Sequence, residues 1–405
     1  MKKRRKTLSV VLSLLAGVCM LSGCIEEYEA DIPAEDTGLL VVEGTICSAQ
    51  LNTFILTRTQ PVNSHSEPTI VEGASVIVHG SDGSAYAMQA ADGKYSGPLP
   101  DLDPDVAYYL HIEADGEVYE SEPQKPLPTE PVADVSLEPD TAANSIDVLV
   151  TPDIPFDPDK ANYYSWTYDE TWEVHPDYTT IIRFDTRTST PVYDPHQFPV
   201  RGWKSQTGQT IMVGASLHYD DHHIRRLRLY AIDRSSERIY YKYSGLVRQR
   251  AISKAEYEYA LARRQAGSEM GGLFTPLPSA LPTNIHCLTS NRHAIGFVGC
   301  SLNTSERRFF LKAEDYAVVR PQPKDARKWL DDCNEMDCYR MAVKEGMFLC
   351  EWKDERYRPG GTLQTAWAYD YQLDVRLWGA YDAEPDYWDS LPLYLPIILP
   401  KLEQD

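Results

Sequence analysis

From Leu39 onward, short apolar runs recur along the chain, and turn-forming residues separate them. "LLVVEGTI" (39–46), "TFILTRT" (53–59), "ASVIVHG" (74–80) and "SAYAMQA" (84–90) are rich in β-branched and aromatic residues. Such residues fit a pleated, half-buried surface. "AYYLHIEADGEVYES" (107–121) is the clearest unit, because Asp115–Gly116 makes a two-residue turn between alternating segments. Short strands at this spacing predict a sandwich over residues 38–122. "SEPQKPLPTEPVAD" (121–134) then has four prolines and no apolar period, so a linker at 123–134 divides the chain.

The pattern resumes in "SIDVLVTP" (145–152), "YYSWTYDETWEV" (163–174), "TIIRFDTRT" (180–188) and "RRLRLYAID" (225–233), strands of a larger body over 135–405. One helix is well specified. Ser253 with Glu256 makes a capping box, Ile252 with Tyr257 a staple, and Gly267 a stop. Tyr257, Ala260, Leu261 and Arg264 share its face. A second, shorter helix is expected at Asp325–Leu330. "LPLYLPIILP" (391–400) is apolar but has three prolines in ten residues, and reads as a buried extended segment. The expected fold is therefore mainly β: an N-terminal Ig-like or carboxypeptidase-regulatory-like β-sandwich, then a larger β-rich domain with one or two short helices.

The first 38 residues follow different rules. Residues 2–6 are all basic, and an apolar stretch from Leu8 to Leu21 follows, which is the layout of a secretory signal at 1–23. That stretch is shorter than the roughly 20 residues a membrane span needs. Leu21-Ser22-Gly23-Cys24 has the form of a lipobox, so Cys24 is expected to be acylated and to anchor the protein to a membrane. Residues 24–37 read as an acidic tether. Cleavage would remove five basic residues and no acids, taking the net charge from −21 to −26. So acidic a chain excludes nucleic acid as a partner. A hydrophobic share of 42% excludes wholesale disorder.

With Cys24 acylated, Cys47, Cys287, Cys300, Cys333, Cys338 and Cys350 remain, an even number that favours disulfides in an exported protein. Cys287 and Cys300 flank one hairpin-like unit, and Cys333 and Cys338 bracket "CNEMDC". Cys47 and Cys350 are left as a cross-domain pair or as free thiols. Nucleophile elbows, glycine-rich phosphate loops, dinucleotide fingerprints and H-E-x-x-H are all missing from the sequence, and no cofactor is implied. In "HYDDHH", His218, Asp220 and His222 would share a face if the segment were a strand, giving imidazole and carboxylate ligands for a metal; a solvated turn is the plainer reading. Tyr164, Trp166, Tyr168 and Trp172 would form a sugar-stacking platform if exposed and core packing if buried. "DLDPD" (101–105) opens like a calcium loop, but Val106 and Ile112 stand where glycine and glutamate are needed.

From Tyr240 the sequence "YYKYSGLVRQRAISKAEYEYALARRQAGSEMGGLFTPLPSALPTNIHCLTSNRHAIGFVGCSLNTSERRFFL" resembles a family of Bacteroidota outer-membrane lipoproteins catalogued as a domain of unknown function. "YYSWTYDETWEV", "LLVVEGTI…LTRTQPV" and the "CNEMDC" loop fit the same family, although the loop is wider than the two intervening residues expected. The resemblance implies a two-domain β-rich lipoprotein and a TonB-dependent receptor as partner, with a non-enzymatic accessory role in capturing or gating a nutrient. It implies no catalytic residues. Glu26, Glu27, Glu29 and Asp31 resemble the acidic signal that sends such lipoproteins to the cell surface. A stand-alone glycan- or peptide-binding module or adhesin is the alternative. A hydrolase using carboxylates or the His218–His223 cluster is the third reading.

Overall fold

The computed structural model describes residues 38–60, 68–154, 161–175, 182–185, 190–193, 202–208, 212–267, 281–312, 316, 318, 328–330, 348–354 and 363–368. Cys24, the acids of the tether, Cys333 and Cys338 lie outside them, as does the segment 391–400.

The first strands are β1 (Leu40–Glu43), β2 (Thr45–Cys47), β3 (Leu51–Arg58), β4 (Thr69–Ile70), β5 (Ser75–Gly80), β6 (Ala85–Ala87), β7 (Gln89–Ala91), β8 (Lys94–Pro98), β9 (Tyr108–Ala114) and β10 (Glu117–Ser121). Asp115 and Gly116 both have positive φ, at 55° and 80°, as the tight turn between β9 and β10 requires. Next come β11 (Val132–Asp140), β12 (Ser145–Pro152), β13 (Tyr163–Val174), β14 (Ile182–Asp185), β15 (Thr190–Tyr193), β16 (Gly202–Thr207), β17 (Met212–Ala215), β18 (Leu227–Asp233) and β19 (Lys242–Ala251). Helix α1 (Lys254–Gly267) precedes β20 (Ile285–Cys287), β21 (Ala294–Gly296), β22 (Gly299–Ser301) and β23 (Ser305–Lys312). The last strands are β24 (Lys328–Leu330), β25 (Phe348–Asp354) and β26 (Leu363–Ala368), which form a sheet of their own. Of the short helix expected at 325–330, the described residues 328–330 form β24 instead and pair with β26.

Two sandwiches result. In the first, the sheet β21-β1-β3-β8-β7 faces the sheet β20-β10-β9-β5-β6. Leu40, Phe54, Leu56 and Tyr95 from one meet Val78, Leu110, Ile112 and Tyr119 from the other in a single core. In the second, β11-β12-β18 faces β16-β13-β19-β23 around Ile146, Val148, Val150, Trp166, Tyr243 and Val247.

The first sandwich draws on more chain than residues 38–122. β21 and β22 run parallel beside β1 and β2, with Leu40 opposite Ala294 and Ile46 opposite Cys300. β20 pairs antiparallel with β10. Gly296 sits at φ +145° in this return, and a Cβ there would run into the Val42 carbonyl oxygen. The proline-rich linker is also bolted down. Leu127 bridges to Ser301, and Thr129 exchanges two hydrogen bonds with the Asn303 amide, at 2.9 and 2.8 Å.

Helix α1 begins as its cap predicts, with the Glu256 amide donating to Ser253 Oγ at 3.1 Å. The reciprocal half of the box is absent because the Glu256 carboxylate turns to pair with Arg250. The buried face falls at Glu256 and Tyr259, one position from the expected stripe, and Tyr259 packs on Phe297.

Candidate functional site: a carboxylate inside the second sandwich

Strand β13 turns its even-numbered residues toward the second core. Tyr164, Trp166, Trp172 and Val174 all belong to that core, and Glu170 stands in the same row with 0% of its surface exposed. An unpaired buried charge would cost several kcal/mol, so the fold must answer it. Arg238 Nη1 lies 2.7 and 2.8 Å from the two carboxylate oxygens, and Tyr243 Oη donates to Oε1 at 2.7 Å. Gln206 adds a longer bond at 3.3 Å. Arg238 is delivered by a short 3₁₀ turn, Glu237–Ile239, whose preceding Ser236 accepts from its backbone amide.

The network continues through hydroxyls. Tyr230 Oη lies 2.9 Å from Tyr243 Oη, and the Tyr230 ring stacks on Tyr168 at 3.8 Å. Burial first, and then the neighbouring Glu170 charge among other causes, raises the pKa of both Tyr230 and Tyr243. These hydroxyls are therefore held as neutral hydrogen-bond donors rather than as bases. A second chain joins β13 to the linker: Trp166 Nε1 donates to Gln249 Oε1 at 2.9 Å, and Gln249 Nε2 donates to the Glu130 carbonyl at 2.8 Å. Tyr164 Oη reaches the Glu130 carboxylate at 2.6 Å. Together the ion pair, phenols and amides knit the second sandwich, and the Gln249 and Tyr164 bonds fix it to Glu130 of the linker.

The aromatic platform resolves as core. Tyr164, Trp166 and Trp172 are buried and Tyr168 is half-buried against Tyr230, so these rings are not presented together to a sugar face. The His218 cluster is not a strand. Ser216–His218 is a 3₁₀ turn, and His222 has φ +56°, which breaks the alternation that would align His218, Asp220 and His222. His218 Nε2 instead meets Tyr257 Oη at 3.1 Å, while Asp221 pairs with Arg225. Asp103 of "DLDPD" accepts from the Asp105 amide, closing a turn. Glu170 and Arg238 escaped the sequence reading. The signal for the first was a carboxylate at an even position in "YSWTYDETW", where its neighbours two residues away are aromatic.

Cys47, Cys287 and Cys300 are free thiols. The expected Cys287–Cys300 bridge is not formed, because the chain crosses from the sheet of β10 to the strands beside β1 and β2 between them. Cys350 lies on β25. Burial pushes the Cys300 thiol up to about 12 and raises Cys47 as well. At Cys287 slight burial is outweighed by hydrogen bonds from Ser290 and Thr289, which hold the thiol below its usual value. Thiolate is the reactive form. An aromatic disulfide reagent at pH 8 is thus expected to label Cys287 in the folded protein and to reach Cys47 and Cys300 only on unfolding. Peptide mapping that finds Cys47 or Cys300 labelled without unfolding would contradict this.

Arg250 and Glu256 pair above β22, where a Cβ on Gly299 would strike both side chains. Burial opposes the Arg250 charge, but Glu256 leaves its net shift upward. Arg263 of α1 reaches Glu43 of β1 at 2.5 Å, so the helix ties the two sandwiches at both its ends.

No curated protein matches the chain. Among solved structures, trypsin-activated alpha-2-macroglobulin from Escherichia coli is similar at 11% identity, over 56% of this chain and 15% of that one, with a TM-score of 0.17. A score that low supports no argument about fold or function. A family profile, described as a domain of unknown function (DUF4249), matches residues 25–307. With its paired β-sandwiches and that match across most of its length, the chain belongs to this family of Bacteroidota outer-membrane lipoproteins, typically found beside TonB-dependent receptors.

Proposed function

We propose that this protein is a lipid-anchored, surface-facing accessory of a TonB-dependent receptor, working without catalysis to capture or gate a nutrient. The family match, which begins at the residue after Cys24, is the observation that supports it most. The interior adds to the case: the fully buried Glu170 is occupied by Arg238 and Tyr243, leaving it no free role as acid or base. The bolted linker and α1 suit a rigid body that presents surfaces to a partner.

The test is purification of the tagged full chain from native membranes in mild detergent. A TonB-dependent β-barrel receptor should co-purify in near-equal amount, and its consistent absence would overturn the reading. In the same experiment Cys24→Ala should release the protein from the membrane fraction. Replacing Glu26 and Glu27 with alanine should keep the lipid but shield the protein from protease added to whole cells. Continued cleavage of that double variant would refute the export role of the acids.

A further inference from the structure

The outer face of the first sandwich carries a row of ligand-type side chains. Cross-strand partners share a face, and the register runs His111 opposite Glu120, Glu120 opposite His286, and His286 opposite His293. Their neighbours in sequence, Ile112, Tyr119 and Ile285, point into the core, so alternation turns the row outward. His286 Nε2 already lies 3.2 Å from Glu122 Oε1. At the other end His111 Nδ1 lies 2.8 Å from Glu120 Oε1.

From this register we propose a divalent transition-metal site on the sheet surface, with His286, His293 and Glu122 as ligands and Glu120, oriented by His111, in support. Two imidazoles and a carboxylate suit Zn²⁺, Cu²⁺ or Ni²⁺, and three protein ligands leave a fourth position for water. Directly opposite residues have Cβ atoms about 5 Å apart, a separation that two histidines span around one ion. Among the described residues no three such side chains yet surround one point. The proposal rests on backbone register instead. The side chains of His286 and Glu122 are 56% and 57% exposed, and His293 is exposed, so they gather by rotamer changes in solvent without disturbing the core.

The frame beneath them is firm. Glu122 N donates to the Asn284 carbonyl at 2.7 Å. The Asn284 side chain exchanges two hydrogen bonds with Val298, at 2.9 and 3.0 Å, pinning the loop that brings His293 back beside His286. Thr283 Oγ1 adds a bond to the Gly296 carbonyl at 2.8 Å. Ligands on a preset frame need little ordering when the ion arrives.

Equilibrium dialysis of the detergent-solubilised full chain, stripped with chelator and then exposed to ZnCl₂, tests the site. The expected result is one bound equivalent with micromolar affinity that the His286→Ala/His293→Ala variant lacks. Each single substitution should weaken it about tenfold or more. His218→Ala and Cys287→Ser should both retain it. All four substitutions fall on exposed or partly exposed side chains, and an unchanged circular dichroism melt will confirm folding. Absence of binding in the native protein, an undiminished equivalent in the double histidine variant, or its loss in Cys287→Ser would each overturn the proposal.

Discussion

Replacing Glu170 with alanine is expected to destabilise the second sandwich by about 3 kcal/mol, because it leaves the partly exposed Arg238 guanidinium and the buried Tyr243 hydroxyl without the carboxylate that pairs them. Arg238 would lose its carboxylate partner and Tyr243 the acceptor of its hydroxyl, beside Trp166 and Trp172 of the same core. Urea unfolding followed by tryptophan emission reads the effect, since both indoles belong to that core. A replacement of the whole set by apolar residues of similar volume, Glu170→Leu with Arg238→Met and Tyr243→Phe, should recover most of the loss, as buried ion pairs commonly exchange with hydrophobic contacts at little cost. A single Glu170→Ala loss below about 1 kcal/mol would mean that the carboxylate does not organise the sandwich.

Trp166→Ala should cost a comparable amount, about 3–5 kcal/mol, through the cavity it leaves. Trp166 is 1% exposed, among the largest fully buried side chains, and its Nε1 bond holds Gln249 against the linker carbonyl of Glu130. Trp166→Phe separates the two contributions. It keeps most of the ring but leaves Gln249 Oε1 without its donor, a loss of about 1–3 kcal/mol. Calorimetric melts of the two variants decide between this account and a sugar-stacking role. A tryptophan that served only to bind a ligand would leave the melt unchanged on substitution.

The contrast between these residues and their neighbours shows what a single sequence reveals. Strands β12 and β13 coincide with the segments read as strands at 145–152 and 163–174, and the Asp115–Gly116 turn adopts the backbone its residues prefer, because local chemistry decides each of them. The N-terminus of α1 was legible for the same reason. Its buried stripe was not, since the neighbours of Glu256 and Tyr259 are Arg250 and Phe297, set by tertiary contact. The three-residue strands β20, β21 and β22 are too short for any period, and their partners lie far upstream. Glu170 was hidden by a sound rule, that glutamate in a strand faces water. Nothing local announces the Arg238 that overturns it. The His286–His293 row was invisible for a similar reason, as register across strands emerges only when the strands are paired.

The parallel return of β21 and β22 also bears on how the protein is made. Arg292 donates to the Gly38 carbonyl, a contact spanning 254 positions. A chain synthesised N-terminus first must hold β1 and β2 with an open edge until that late segment arrives. Contacts of such long range slow folding, and open edges invite pairing with the wrong strand. The first sandwich thus finishes after most of the second has been delivered, and a fragment ending at residue 122 is an unfinished sheet. Until residues 285–301 are made, the edges of β1, β2 and β10 stay open to mispairing, so truncations ending before residue 285 are expected to aggregate.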